Sequence, residues 1–241
     1  NGETRLNYDG SYAGVYVNLA SAESLDLADK NNGTSLDLAV IGRDVIIGGV
    51  NSLDGSAYGD MLIGGLASND RIEIFFGQGG NDTIIGGSGF DRARYDKSGS
   101  LESWNYDGTQ VRMLVSSEDN AAYSFTQGIT VNLAEGIVSG DANWIGRDVL
   151  SGIESISGTI LADTFDATGF SSTSVNAGSF GTFNEFEGRA GDDRVIGNGN
   201  TRISYRNAYA GVLVDLARTT SSGLAAGDIA VVGTDTISGV N

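Results

Sequence analysis

Cysteine, proline and histidine are all absent from this 241-residue chain. Without cysteine there is no disulfide, so stability outside a cell must come from packing or from bound metal. Without histidine neither a zinc site nor a histidine-dependent catalytic triad can be built. Basic residues are scarce as well: 14 Lys and Arg stand against 31 Asp and Glu, a formal charge of −17 at pH 7. A surface of that sign repels nucleic acid and anionic membranes, and it repels itself unless cations neutralise it. No apolar run approaches the ~20 residues of a membrane span; Val45-Ile46-Ile47, flanked by glycine, is typical. The chain does not open on the basic-then-apolar pattern of a cleaved export leader. Its length is enough for one or two domains with a sizeable core.

What is plentiful is glycine, at 37 residues. The densest stretch runs from Gly77 to Asp91 and consists of two nine-residue units in tandem. Gly77, Gly79, Gly80, Asn81 and Asp82 form the first turn, followed by the apolar Ile84; Gly86, Gly87, Gly89 and Asp91 form the second, followed by Ala93. Glycine permits positive φ and lets a turn aim its carbonyls inward. The aspartate adds a carboxylate beside them, and hard oxygens of both kinds suit calcium at roughly 2.3–2.6 Å. The apolar step that follows is strand-like, so each unit is one loop plus one strand.

One such loop supplies too few ligands, because calcium takes about six to eight oxygens. Two loops stacked in space must therefore share each ion, which a coil achieves when alternate units return to one edge. Asp60, Asp70, Asp82 and Asp91 follow one another at intervals of 10, 12 and 9 residues. The spacing predicts Asp60 stacked over Asp82, and Asp70 over Asp91 on the opposite edge. The alternative is that these Gly-Asp and Asn-Asp pairs only mark ordinary β-turns.

The units at 77–94 resemble the calcium-binding nonapeptide repeats of the repeat-in-toxin (hemolysin-type) family. The resemblance implies an all-β parallel β-roll or β-solenoid, folding driven by several calcium ions, and secretion from a bacterium by a signal other than a cleaved N-terminal one. Looser copies surround Asp60, Asp70 and Asp193, the last with Asp192 beside it and Asp163 upstream. The resemblance also makes Asp44, Asp148 and Asp235 candidate ligands, pairing Asp44 with Asp60 and Asp148 with Asp163. That each of these instead caps its own turn stays open.

A longer repeat overlies the nonapeptides. Gly2 to Tyr8 and Tyr12 to Ala20 match Gly199 to Tyr205 and Tyr209 to Ala217 at a constant offset of 197, and Gly128 to Ala134 is a partial third copy. Ile41-Gly42-Arg43-Asp44, Ile145-Gly146-Arg147-Asp148 and Val232-Gly233-Thr234-Asp235 form a second shared block, and Gly55–Asp60 aligns with Gly158–Asp163 at an offset of 103. The chain thus divides into a first roll unit (1–98), an unmatched strand or hairpin (99–124), a second roll unit (125–204) and the start of a third (205–241). The repeat is interrupted in mid-unit at both ends, as expected for a window on a longer array whose neighbouring repeats, in the same or identical chains, are its partners.

Three departures from repetition are informative. In the second block Thr201 stands where Asp91 stood, which predicts one ion fewer. Residues 165–187 carry Phe170, Phe180, Phe183 and Phe186, expected mostly as core, with a sugar-binding groove as the minority reading. Residues 21–40 read as an extended loop. A zinc-protease His-Glu-x-x-His is excluded by composition and no Gly-x-Ser-x-Gly elbow occurs, while the carboxylate pairs sit in repeated turns that a scaffold role explains. The expectation is a non-enzymatic extracellular or cell-surface module of an adhesin, matrix filament or surface layer. The alternatives are a calcium-binding appendage of a polysaccharide-active enzyme and a carbohydrate-binding module for an acidic or neutral polysaccharide.

Overall fold

The computed structural model describes residues 4–32, 37–65, 72–96, 103–106, 111–114 and 127–241. The fold is all-β: one large, open, mostly parallel sheet collects the described strands apart from an antiparallel pair, Ser103–Tyr106 with Val111–Leu114. That pair lies in the segment with no counterpart elsewhere in the repeat. Most strands are three to five residues long, and their composition explains why. In the glycine-turn units a strand such as Met61–Ile63 or Thr83–Ile85 begins just after the turn aspartate, buries its middle residue and ends at the next glycine. Thr83-Ile84-Ile85, with only the middle residue buried, is representative.

In the glycine-turn units strands pair with the second strand along rather than with the next, which sorts them into two interleaved stacks. In the first, Val15–Asn18, Met61–Ile63, Thr83–Ile85 and Arg147–Ser151 lie side by side in parallel, and the row continues through the antiparallel Ile137–Ser139 to Thr130–Asn132, Thr164–Asp166, Arg194–Ile196 and Thr234–Val240. In the second, Arg5–Asn7, Ser52–Asp54, Ile72–Phe76, Phe90–Arg94, Ser155–Ser157 and Asn184–Glu187 also lie side by side in parallel. The long strand Arg194–Ile203 crosses from one to the other, pairing with Thr164–Asp166 at its start and Asn184–Glu187 at its end.

Register lines up one apolar residue per strand. Val17, Leu62, Ile84 and Leu150 form one column; Leu53, Phe75, Ala93, Ile156 and Phe186 form the other, and all of these are essentially inaccessible. The Phe165 and Phe186 rings stack at 4.9 Å between centroids and tie Phe165, which lines up with Val131 and Val195, to the second column. Full burial of each such side chain contributes about 1.5–3 kcal/mol.

The shared block of the longer repeat corresponds to a three-strand antiparallel meander. Val15–Asn18, Glu23–Asp26 and Asp44–Val45 form it first; Thr130–Asn132, Ile137–Ser139 and Arg147–Ser151 second; Val212–Asp215, Thr220–Gly223 and Thr234–Val240 third. Residues 21–40 are therefore not one extended loop. They hold the meander's middle strand and the short helix Leu27–Asn32. The helix starts where Asp26 Oδ1 accepts the Ala28 and Asp29 N–H groups, an N-cap made by an aspartate the strand delivers.

A buried ionic cluster sits on the second stack. Arg92, 2% exposed, donates to Glu185 at 2.6 Å and to the Ser155 hydroxyl at 2.9 Å, and Arg202 holds the other Glu185 oxygen at 2.6 Å. Nearby, Asp96 is clasped by Arg94 and Arg189 at 2.5 and 2.6 Å.

Candidate functional site

The aspartates that follow the glycine turns stand side by side in two ladders on the first stack. Val15 N–H donates to Asp60 Oδ1 at 2.7 Å, Asp60 N–H to Asp82 Oδ1 at 2.8 Å, and Asp82 N–H to Asp148 Oδ1 at 2.9 Å. The second ladder repeats the pattern: Ile129 N–H to Asp163 Oδ1 at 2.7 Å, Asp163 N–H to Asp193 Oδ1 at 2.9 Å, and Asp193 N–H to Asp235 Oδ1 at 3.0 Å. All six aspartates are buried. Asp60 thus sits next to Asp82, the arrangement the interval between them predicts. Asp148, however, stacks on Asp82 and not on Asp163, and the neighbours of Asp60 are Val15 and Asp82, not Asp44. The Asp44 and Asp148 blocks therefore do not pair with the aspartate next downstream of them in sequence. Parallel stacking returns the chain to the rung before.

On the opposite edge Asp91 is register-paired with Glu73, and its N–H donates to Glu154 Oε2 at 2.9 Å. Glu73, Asp91 and Glu154 therefore form a third acidic run. The position expected for Asp70 belongs to Glu73, and Asp70 itself lies outside the described residues. In the second unit the corresponding places hold Asn184 and Thr201, which are register partners; the acidic run ends there.

Two roles separate the glycines. Gly80, Gly87 and Gly89 have φ of 106°, 96° and 126°, where a side chain is strained. Gly77 and Gly86 do not; they are glycine because of what lies against them. A Cβ on Gly77 would meet Asp82 Oδ2 at 2.0 Å, and one on Gly86 would meet Asp91 Oδ2 at 2.6 Å. Gly55, Gly158 and Gly188 are crowded in the same way by Asp60, Asp163 and Asp193, each five residues on. Every one of these carboxylates folds back into its own turn. A Cβ on Gly79 would meet the carbonyl oxygens of Ala57 and Asn143 at ordinary contact distances of 3.4 and 3.5 Å. Asn81 and Asp192, on the exposed side, accept the Arg147 and Thr234 N–H groups at 2.8 and 2.7 Å.

Sequence reasoning missed a recurrent tyrosine. Tyr205 donates to Asp235 Oδ2 at 2.9 Å and bonds Ser221, whose hydroxyl also reaches Asp235. Tyr8, Ser24 and Asp44 repeat this set. In the middle copy Tyr95 is buried beside Asp148 and Val138 replaces the serine. Tyr8 and Tyr205 share the 197-residue offset, so the signal was present in the repeat.

Burial raises the pKa of these acids first, and neighbouring carboxylates raise it further. Asp60 is pushed up to about 6 by burial, partly offset by N–H bonds from Ser56 and Val15. Asp91 reaches about 8 through burial and the charges of Glu154 and Glu73. Asp82 and Asp193, the middle rungs, are raised furthest, by burial and by the carboxylates on either side. Asp148, Asp163, Asp235, Glu73 and Glu154 move the same way, burial leading in each.

The resemblance implies calcium, and these donors can be tested against it. Every donor is oxygen. Several buried carboxylate oxygens accept no hydrogen bond: Asp82 Oδ2, Asp193 Oδ2, Asp148 Oδ2, Glu154 Oε1 and both of Asp91. Unpaired buried anions of this kind require a proton or a cation, and the donor set suits a hard ion. Among the described residues no three acidic side chains converge on one point, so an ion here would draw its remaining oxygens from backbone carbonyls or water. No protein-family model matches the chain, and no curated protein matches it.

Proposed function

We propose that this chain is a calcium-dependent structural module, a parallel β-roll within a large secreted or cell-surface protein, with no catalytic role. The reading is supported chiefly by the unbonded carboxylate oxygens of the glycine turns: acids are buried at the same place in both units, yet left short of hydrogen-bond donors. Asp82, Asp91, Asp148, Glu154 and Asp193 would hold the ions. The metal would supply the positive charge that lets these groups ionise while buried. Backbone N–H groups fix Asp82, Asp148, Glu154 and Asp193 by one oxygen and leave the other for a cation, while Asp91 keeps both oxygens for it. Glycines five residues earlier make room for it. Where calcium is scarce the stacked anions repel and the turns loosen; where it is abundant, binding free energy becomes folding free energy. The second unit, with Asn184 and Thr201 in place of the acidic run, would bind fewer ions than the first.

Far-UV circular dichroism titrated with calcium and then with EDTA tests this. The expected result is a cooperative gain of β signal with calcium and its loss with chelator. A folded spectrum in EDTA that calcium does not change, or equal folding with magnesium, refutes it.

One observation favours a second reading, a carbohydrate-binding surface. Phe180 is half exposed and packs edge-on against Phe90 at 5.7 Å, with Phe183 at 6.0 Å from the same ring, whereas Phe170 and Phe186 are core. Polysaccharide binding lost on Phe180→Ala would support it.

A further inference from the structure

Within the two aspartate ladders some carboxylates are closed by hydroxyl groups and others are left open. Asp60 and Asp163, the first rungs, are closed. Ser56 gives its N–H to Asp60 Oδ2 at 2.5 Å and its hydroxyl to Oδ1 at 2.8 Å; Thr159 does the same for Asp163 at 2.7 and 2.8 Å. The middle rungs are open. Gln78 and Arg189 occupy the place of Ser56 and Thr159, directly after the first glycine of the turn. Neither carries a hydroxyl, and Asp82 Oδ2 and Asp193 Oδ2 accept no hydrogen bond.

The third rungs differ between the ladders. In the antiparallel meanders Asp235 stands opposite Ser221, and Asp44 opposite Ser24, but Asp148 stands opposite Val138. Where serine is present, its hydroxyl and that of a tyrosine both reach Oδ2. Tyr205 and Ser221 lie 2.9 Å from that oxygen of Asp235, and Tyr8 and Ser24 lie 3.4 and 3.2 Å from that of Asp44. Asp148 is 1% exposed, yet its Oδ2 and the hydroxyl of the adjacent Tyr95 are both without a hydrogen bond. Val138, 0% exposed, supplies packing at the place where the other copies supply a donor.

We infer that these hydroxyls stand in for the cation: a closed rung is metal-free, an open rung is where the ion binds, and the residue at 138 or 221 makes that choice for the third rung. An O–H donor and a cation compete for the same carboxylate lone pairs. Asp235 already holds three donors, the Asp193 N–H on Oδ1 and two hydroxyls on Oδ2, so its charge is offset without metal. An ion would have to displace those bonds. At Asp148 it meets a bare oxygen, on the rung beside Asp82, whose Oδ2 is bare as well. The first ladder thus offers two neighbouring carboxylates and the second offers Asp193 alone, while Asp60, Asp163 and Asp235 hold the backbone in place and are not ligands. The inference rests on the calcium reading and deepens it by assigning which rungs serve and what selects them.

Exchanging the two residues tests it, because each copy already accommodates the other's side chain at this register. Equilibrium dialysis measures calcium binding to the whole chain as wild type, Val138→Ser, Val138→Ala and Ser221→Val, with circular dichroism in calcium confirming that each is folded. Val138→Ser should weaken calcium binding at one class of sites by about tenfold or more, the scale on which outer-shell partners act. Val138→Ala removes similar packing without adding a donor and should bind as wild type does. Ser221→Val should tighten binding, since Asp235 then joins Asp193. A folded Val138→Ser that binds as wild type does, an alanine variant weakened equally, or a folded Ser221→Val without a gain overturns the inference, and either exchange decides by itself if the other variant does not fold. A wild type that binds no calcium removes the calcium reading and this inference with it. Calcium binding that ignores both exchanges removes this one alone.

Discussion

Replacing Gly77 with alanine isolates the carboxylate-in-turn geometry from everything else in the fold. Gly77 does not have positive φ, and at such a position Gly→Ala ordinarily stabilises by about 0.4–1 kcal/mol, through the unfolded chain. Here the new methyl would lie 2.0 Å from Asp82 Oδ2, so the carboxylate must leave its place. Overpacking costs about 1–3 kcal/mol. Displacing Asp82 also strips the Asp60 N–H of its acceptor, and a buried donor left unpaired costs a further ~1–3 kcal/mol. The net expectation is a loss of about 2–5 kcal/mol, opposite in sign to the ordinary effect. Asp82→Ala removes the obstacle, so Gly77→Ala should cost far less in that background. Urea unfolding of wild type, both single variants and the double variant in calcium buffer gives the coupling, which should exceed about 1 kcal/mol in the favourable direction. If the two single effects add within the ~0.5 kcal/mol expected of independent sites, the glycine is not there for the carboxylate and the reasoning fails.

Two further predictions follow from charge. Asp60 and Asp91 have folded pKa values raised to about 6 and about 8, so in chelator the folded state holds more protons than the unfolded one above pH ~4. Their contribution is fully present below that pH and is lost as pH rises through 6 and then 8; Asp60 alone accounts for about 3 kcal/mol at ~1.4 kcal/mol per unit. Urea midpoints in EDTA should therefore fall between pH 5 and pH 8, and saturating calcium should flatten the slope. Midpoints that rise with pH in EDTA would contradict the burial of unpaired acids. Separately, Arg92→Ala leaves the buried Glu185 with only Arg202 and the Ser155 hydroxyl among the partners described and should cost about 3–5 kcal/mol, as breaking a buried pair does. Arg92→Met should cost less if Glu185→Gln accompanies it, measured by the same unfolding experiment.

The sequence carried much of the ladder but not its order. Asp60, Asp82, Asp163 and Asp193 could be singled out because a glycine precedes each by five residues and one apolar residue lies two beyond. The opposite edge was harder. Asp70 has the motif's look, but Glu73 has the register, because it falls one residue before the Ile74-Phe75 step that aligns with Arg92-Ala93. A glutamate inside a strand gives no turn signal. The meander's middle strand was also hidden, since Glu23-Ser24-Leu25-Asp26 buries three of its four residues with no alternation to reveal it.

By itself the sequence determined an all-β chain, the residues that make its turns, the repeat that relates its parts, and the exclusion of disulfides and histidine chemistry. These are local properties: which backbone angles glycine allows, which residue follows it, and which side chains exist. Only the tertiary structure decided that Asp148 lies on Asp82, 66 residues away, and that Arg92 meets Glu185 across 93. Strand neighbours are chosen by how many residues each excursion inserts before the chain returns to its stack. A period-two pattern repeats identically on every rung and does not say which rung comes next.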